Sequence, residues 1–155
     1  MFDVIIPLRT GSRGIKDKNV VKFKNTNLTN YTIKKLLKIK LINRIFILTD
    51  SKNYKNKILK NKKIDLSYKR PKKFSKSNSS IYYLITDFIR TQKYNKKKEL
   101  KNILLLQVTS PLISGKEIIK TLRFIKKKKL SSLFHVSEMV EHPQDCIKGD
   151  EKKWK

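Results

Sequence analysis

Val4-Ile5-Ile6-Pro7-Leu8-Arg9-Thr10-Gly11-Ser12-Arg13-Gly14-Ile15-Lys16-Asp17-Lys18-Asn19 is the stretch around which the rest of the chain is organised. Its first part, Val4-Ile5-Ile6-Pro7, is short, apolar and β-branched, the pattern of a buried strand. From Leu8 onward the chemistry changes. Gly11 and Gly14 let a backbone turn tightly and present its N–H groups. Arg9, Arg13, Lys16 and Lys18 bring four cations within ten residues of one another. A strand end that opens into such a loop suits a polyphosphate. The loop has neither the Gly-Lys-Ser/Thr ending of a Walker A motif nor the G-x-G-x-x-G spacing of a Rossmann fingerprint. A solvated basic loop is the plain alternative in so lysine-rich a chain.

Outward from this loop, strand and helix patterns alternate. Asn25-Thr26-Asn27 is expected as a turn leading to a helix near Leu28–Lys40, with Ile33, Leu36, Leu37 and Leu41 at helical spacing. Arg44–Thr49 is expected as a second buried strand ending in Asp50-Ser51, and Ser51 as the cap of a short helix to about Lys60. Lys63–Tyr68 is a weaker strand, and Arg70-Pro71 opens a polar loop through Ser80. Ile81, Leu84, Ile85, Phe88 and Ile89 then mark an amphipathic helix. Ile103–Leu106 is the most apolar strand pattern and is expected at the centre of the sheet. Ser114 and Glu117 form a capping box before the apolar stripe Ile118, Leu122, Ile125. Ser132–Val136 is the last strand expected.

This alternation predicts an α/β fold in three layers, a mostly parallel sheet flanked by helices. Ligands in such sheets gather beyond the carboxyl ends of the strands. The segments 8–19, 50–51 and 107–111 each follow a strand.

The chain's 155 residues suit a single domain, 1–155, and no linker or repeat divides it. A lone cysteine, Cys146, makes no internal disulfide, and no apolar run approaches the about 18 residues that span a bilayer. Met1 leads straight into a strand rather than a signal peptide, so a cytoplasmic protein is expected. The net charge of +27 invites a nucleic-acid reading, but only six of the 39 basic residues are arginine and the lysines are spread through every segment. A nucleic-acid protein concentrates its charge on one face and uses arginine forks. No specific nucleic acid is expected. His135 and His142 are read as structural, with His142 shaping a turn before Pro143.

The loop resembles the signature of the acylneuraminate cytidylyltransferases, Arg-x-x-Ser-Lys-Gly-[Ile/Leu]-x-x-Lys-Asn. Arg9, Ser12, Gly14, Ile15, Lys18 and Asn19 match, and Arg13 keeps the charge of the family's lysine. Further matches occur in the same order along the chain: Tyr31-Thr32-Ile33, then Leu48-Thr49-Asp50-Ser51, then Arg70-Pro71 through Ser80. Leu105-Leu106-Gln107-Val108-Thr109-Ser110-Pro111-Leu112 and finally His142-Pro143 complete the series. The departures are Ser77 for an aspartate and Val108 for a proline.

The resemblance implies a nucleotide-diphospho-sugar transferase-like (Rossmann-like) fold and a role in nucleotide-sugar biosynthesis. The implied reaction transfers CMP from CTP to the anomeric hydroxyl of a nine-carbon 2-keto acid sugar and releases pyrophosphate. It implies that Arg9, Arg13 and Lys18 act at the triphosphate, with Gly11 and Ser12 completing the cradle. It also implies Asn19, Arg70 and Ser80 at the cytidine and Gln107 at the sugar. Magnesium is implied as cofactor, but the family's late Asp-x-Asp pair lies in a C-terminal portion that this chain lacks. The alternative is therefore a CTP-binding fragment completed by a C-terminal partner, with a homodimer possible once that region is supplied. Asp50 is read at a helix start.

Overall fold

In the computed structural model, residues 1–12, 14–76, 78–94, 100 and 102–135 are described. Four strands form one sheet. β1 (Phe2–Leu8) pairs in parallel with β4 (Ile42–Thr49) on one side and β6 (Ile103–Leu105) on the other, and β4 pairs in parallel with β5 (Ile64–Asp65). The order is β5-β4-β1-β6. A small antiparallel hairpin, β2 (Lys22–Phe23) with β3 (Thr26–Asn27), stands apart from it.

β1 and β4 are buried on both faces because their sequences are continuous apolar runs, as parallel strands covered by helices require. Val4, Ile5, Ile6, Ile45, Ile47 and Leu48 are fully buried. α3 (Ile81–Tyr94) lays Leu84 and Phe88 against Ile5, Phe46 and Leu48 on one face. There the Phe88 ring lies 5.0 Å from Phe46 and 5.2 Å, edge-on, from Tyr68. α1 (Leu28–Leu37) contacts β4 and buries Ile33 and Leu36. The expected parallel sheet flanked by helices is therefore present.

Pro7 sits inside β1 without harm. Ile5 accepts from Leu106 N–H on the β6 side, and residues alternate sides along a strand, so Pro7 also faces β6. Pro7 has no N–H to give the next rung, toward the Leu106 carbonyl, and the β6 ladder ends at Leu105, opposite Ile5.

Caps follow the sequence closely. Asn27 accepts from Asn30 N–H at the start of α1. Ser51 accepts from Tyr54 N–H at the start of α2 (Lys52–Lys57). Ser114 and Glu117 exchange both bonds of the capping box at the start of α4 (Gly115–Lys128), 2.6 and 3.1 Å.

Three expectations are corrected. Ile103–Leu106 is not central: among the described residues β6 borders β1 alone, and Ile103 and Leu105 are 36% and 42% exposed. Apolarity had stood in for position, yet the strand with neighbours on both sides and full burial is β1. The third strand shrinks to Ile64–Asp65 because the Asp65 carboxylate turns back to Ser67 N–H at 2.7 Å, an Asx turn that ends the ladder. Residues 132–135 form no strand, and Val136 lies outside the described residues, as do Arg13, Ser77, the 95–98 turn, His142, Pro143 and Cys146.

Residue contacts divide the chain into two compact units, Met1–Arg123 and Phe124–Lys155. The sheet belongs to the first. In the second, the C-terminal end of α4 closes in a Schellman arrangement. Lys129 adopts φ 51° while Leu130 and Lys129 N–H donate to Ile125 and Lys126 carbonyls.

Candidate functional site

β1 and β4 end side by side, and the segments that follow β1, β5 and β6 enclose a cleft of about 440 Å³. One wall is the loop after β1, which contributes Arg9, Ser12, Gly14, Lys18 and Asn19. The segment after β5 adds Arg70, Ser79 and Ile81, and the segment after β6 adds Gln107, Val108 and Thr109. The cleft lies beyond the carboxyl ends of parallel strands, where open α/β sheets bind their ligands.

The first wall is held by its own polar groups. Asn19 is buried, and its side-chain amide donates to the Arg9 carbonyl at 2.9 Å, closing the loop across its mouth. Its carbonyl in turn accepts from the Thr29 hydroxyl on α1. Gly11 takes φ +70°, which an L side chain resists, whereas Gly14 shows no such angle and a Cβ there would meet open space. Only the first glycine is demanded by the turn. Asp17, also left-handed at φ 51°, opens the 3₁₀ turn Lys18–Val20.

Arg70 is the most constrained cation of the cleft. Its Nη2 donates to the Phe74 carbonyl at 2.5 Å, while Nε is buried without a partner among the described residues. Burial lowers its pKa from the ordinary guanidinium value; Asp50 opposes that shift, and neighbouring Arg9 adds to it. Guanidinium stays charged under such shifts, so two like charges are held close together with an unpaired donor. An anion is the natural complement.

Two lysines anchor the remaining walls. Lys55 Nζ donates to the Leu66 and Tyr68 carbonyls at 2.6 and 3.2 Å, just before Arg70. Lys35 Nζ donates to the Pro111 and Ile113 carbonyls at 2.7 and 2.8 Å, just after Gln107–Thr109, with its ammonium 4.8 Å from the Tyr31 ring centre. Burial lowers the pKa of both.

Of the residues singled out in the sequence, Arg9, Ser12, Lys18, Asn19, Arg70 and Gln107 share this one cleft, although they come from three segments. Gly11 turns the loop without lining the cleft. Ser80 is exposed, and its hydroxyl accepts from Tyr82 N–H at the start of α3; its neighbour Ser79 lines the cleft instead. Thr109 lies inside the matched motif and Ile81 in the helix stripe, but neither they nor Ser79 are site residues by the sequence alone, since a polar or apolar residue beside a turn is ordinary.

A profile of the cytidylyltransferase family matches residues 4–151. The chain belongs to the cytidylyltransferase family. Among relatives, the N-acylneuraminate cytidylyltransferase of Streptococcus agalactiae serotype V is 28% identical over 141 residues, 90% of this chain and 32% of that protein. The N-acylneuraminate cytidylyltransferase of Escherichia coli O18:K1:H7 is 27% identical over 119 residues, 77% of this chain and 27% of that protein. The chain thus spans about a third of the length of the curated relatives it matches. A solved CMP:2-keto-3-deoxy-manno-octonic acid synthetase complexed with CTP superposes with a TM-score of 0.60. That match has 12% identity and covers 83% of this chain and 49% of the synthetase. At that identity the superposition speaks for a shared cytidylyltransferase fold.

The described residues do not fit the magnesium that the family resemblance implies. No group of three His, Cys, Asp or Glu that could hold a metal occurs among them. Asp50, the carboxylate nearest the loop's start, has both oxygens engaged by Thr10. No helix of the described residues is long and apolar enough to cross a membrane.

Proposed function

We propose that this chain is the nucleotide-binding part of an enzyme that transfers CMP from CTP to the anomeric hydroxyl of a sialic-acid-type 2-keto acid sugar. The observation that carries the reading is the convergence of Arg9, Lys18 and Arg70 on one cleft beyond the strand ends. In the reaction the hydroxyl oxygen attacks the α-phosphorus of CTP, the α–β bridging P–O bond breaks, and pyrophosphate leaves with the electron pair. The hydroxyl proton passes to solvent.

Such a transfer asks the protein for position and for cations where charge develops. Arg9 and Lys18 meet the phosphates, with Arg13 in the same loop. Arg70 and Asn19 border the nucleoside, with Ser80 or its neighbour Ser79 supplying a hydroxyl. Gln107, on the segment after β6, lines the same cleft and suits the sugar.

A second form of the same reading is a CTP-binding fragment completed by a C-terminal partner: with no metal-holding group among the described residues, these residues would bind CTP without turning it over.

The test is thermal unfolding with each of four nucleotides. Binding to the native state adds RT ln(1 + [L]/Kd), so CTP at about 100 Kd adds roughly 2.7 kcal/mol. CTP raises the midpoint more than ATP, GTP or UTP. Equal shifts with all four would leave a generic anion site.

A further inference from the structure

The chain from the end of β4 into α2 grips the loop after β1 near both of its ends. Asp50 accepts from the Thr10 backbone N–H through Oδ1 at 3.1 Å and from the Thr10 hydroxyl through Oδ2 at 3.0 Å. One helical turn further on, the Tyr54 hydroxyl donates to Asp17 Oδ1 at 2.7 Å. Tyr54 is 1% exposed, so its ring is held by packing and its hydroxyl is a stationary donor. Burial, and then the bond to Asp17, push its ionisation upward, so the hydroxyl keeps its proton. Thr10 and Asp17 flank the stretch that carries Gly11 and Ser12, and Asn19 closes that stretch onto Arg9.

We propose that Asp50 and Tyr54 are positioning residues, a two-point brace that holds the Thr10–Asp17 loop in its anion-receiving shape without touching the nucleotide. The proposal deepens the reading of that loop as a triphosphate site and rests on it. Asp50 invites a rival account, because a carboxylate near a polyanion site repels the ligand. Under that account its neutralisation tightens binding. Under the brace account it weakens binding, because both bonds from Thr10 lose their charged acceptor and the asparagine amide nitrogen can meet the Thr10 hydroxyl only by reversing that bond. The two accounts differ in sign.

The test compares wild type, Asp50→Asn, Tyr54→Phe and the double variant Thr10→Val/Asp50→Asn. Hydrogen exchange is followed in a peptide spanning residues 9–19 of the ligand-free protein, and affinity is measured for CTP and for inorganic tripolyphosphate. Loop exchange is expected to rise about tenfold in Asp50→Asn and in Tyr54→Phe while β1 and β4 stay protected. CTP affinity falls about tenfold in Asp50→Asn, the factor for one lost charge-assisted hydrogen bond. Adding Thr10→Val costs little more, since both changes remove one contact. Tyr54→Phe keeps the buried ring and serves if Asp50→Asn does not fold. Unchanged loop exchange overturns the brace, as does tighter CTP binding in Asp50→Asn. If the loop loosens as expected while wild type binds neither CTP nor tripolyphosphate, the brace stands and the triphosphate reading fails.

Discussion

Two of the cleft's walls, those after β1 and β6, are built differently. The wall after β1 rises from a strand paired on both sides and carries Arg9 and Lys18. Asp50, Tyr54, Thr29 and its own Asn19 tie it down. The wall after β6 rises from a three-residue strand with Ile103 and Leu105 partly exposed. Its main described tie is the Lys35 ammonium on two carbonyls. The loop that carries Arg9 and Lys18 is therefore preorganised by buried strands and by side chains with few rotatable bonds. The Gln107 half leans on one long, flexible side chain. Preorganisation matters most where charge must be met without delay, because fixed donors need no rearrangement when charge develops.

That contrast can be broken first in the core beneath each wall. Phe88→Ala removes a fully buried ring that packs on Phe46 and Tyr68 under the braced side, and is expected to cost about 3–5 kcal/mol. Leu105→Ala, on the β6 side, is expected to cost less than about 1.5 kcal/mol, since 42% of that residue already meets solvent. Denaturant titration of the two variants measures both, and equal losses would erase the difference between the walls. A smaller effect sharpens the comparison within the braced loop. Gly11→Ala forces a Cβ into φ +70° and should lose about 1–2 kcal/mol, with weaker CTP binding. Gly14→Ala should be neutral or stabilising, by up to about 1 kcal/mol, because nothing in the fold demands a bare α-carbon there.

Much of this was legible in the residues. Continuous apolar runs at Val4–Ile6 and Ile45–Ile47, rich in β-branched residues, read as strands buried on both faces, and Ser51 and Ser114 announce helix starts by local chemistry alone. Arg9, Ser12, Lys18, Asn19, Arg70 and Gln107 were picked out through a matching order of motifs, and they line one cleft. What escaped was decided by distant partners. The order of strands depends on pairing, which apolarity does not report, and so the apolar run Ile103–Leu106 points to the centre while the structure puts it beside β1 alone among the described residues. The Thr10–Asp50 and Asp17–Tyr54 contacts join residues 40 and 37 positions apart, and nothing in either segment names the other. Lys35 and Lys55 were invisible for a different reason. In a chain with 39 basic residues, a lysine that satisfies buried carbonyls looks like any other.

The central claim is that placed cations, rather than a diffuse positive field, receive the triphosphate. Calorimetric titration of CTP into wild type, Arg9→Ala and Lys40→Ala at one salt concentration tests it most directly. Both variants lose one charge, but Arg9 lines the cleft and Lys40 lies exposed just after α1. Arg9→Ala is expected to weaken CTP about 10- to 100-fold, the range for a lost charge-assisted contact, and Lys40→Ala to stay within about twofold. Equal losses in the two variants would contradict the account.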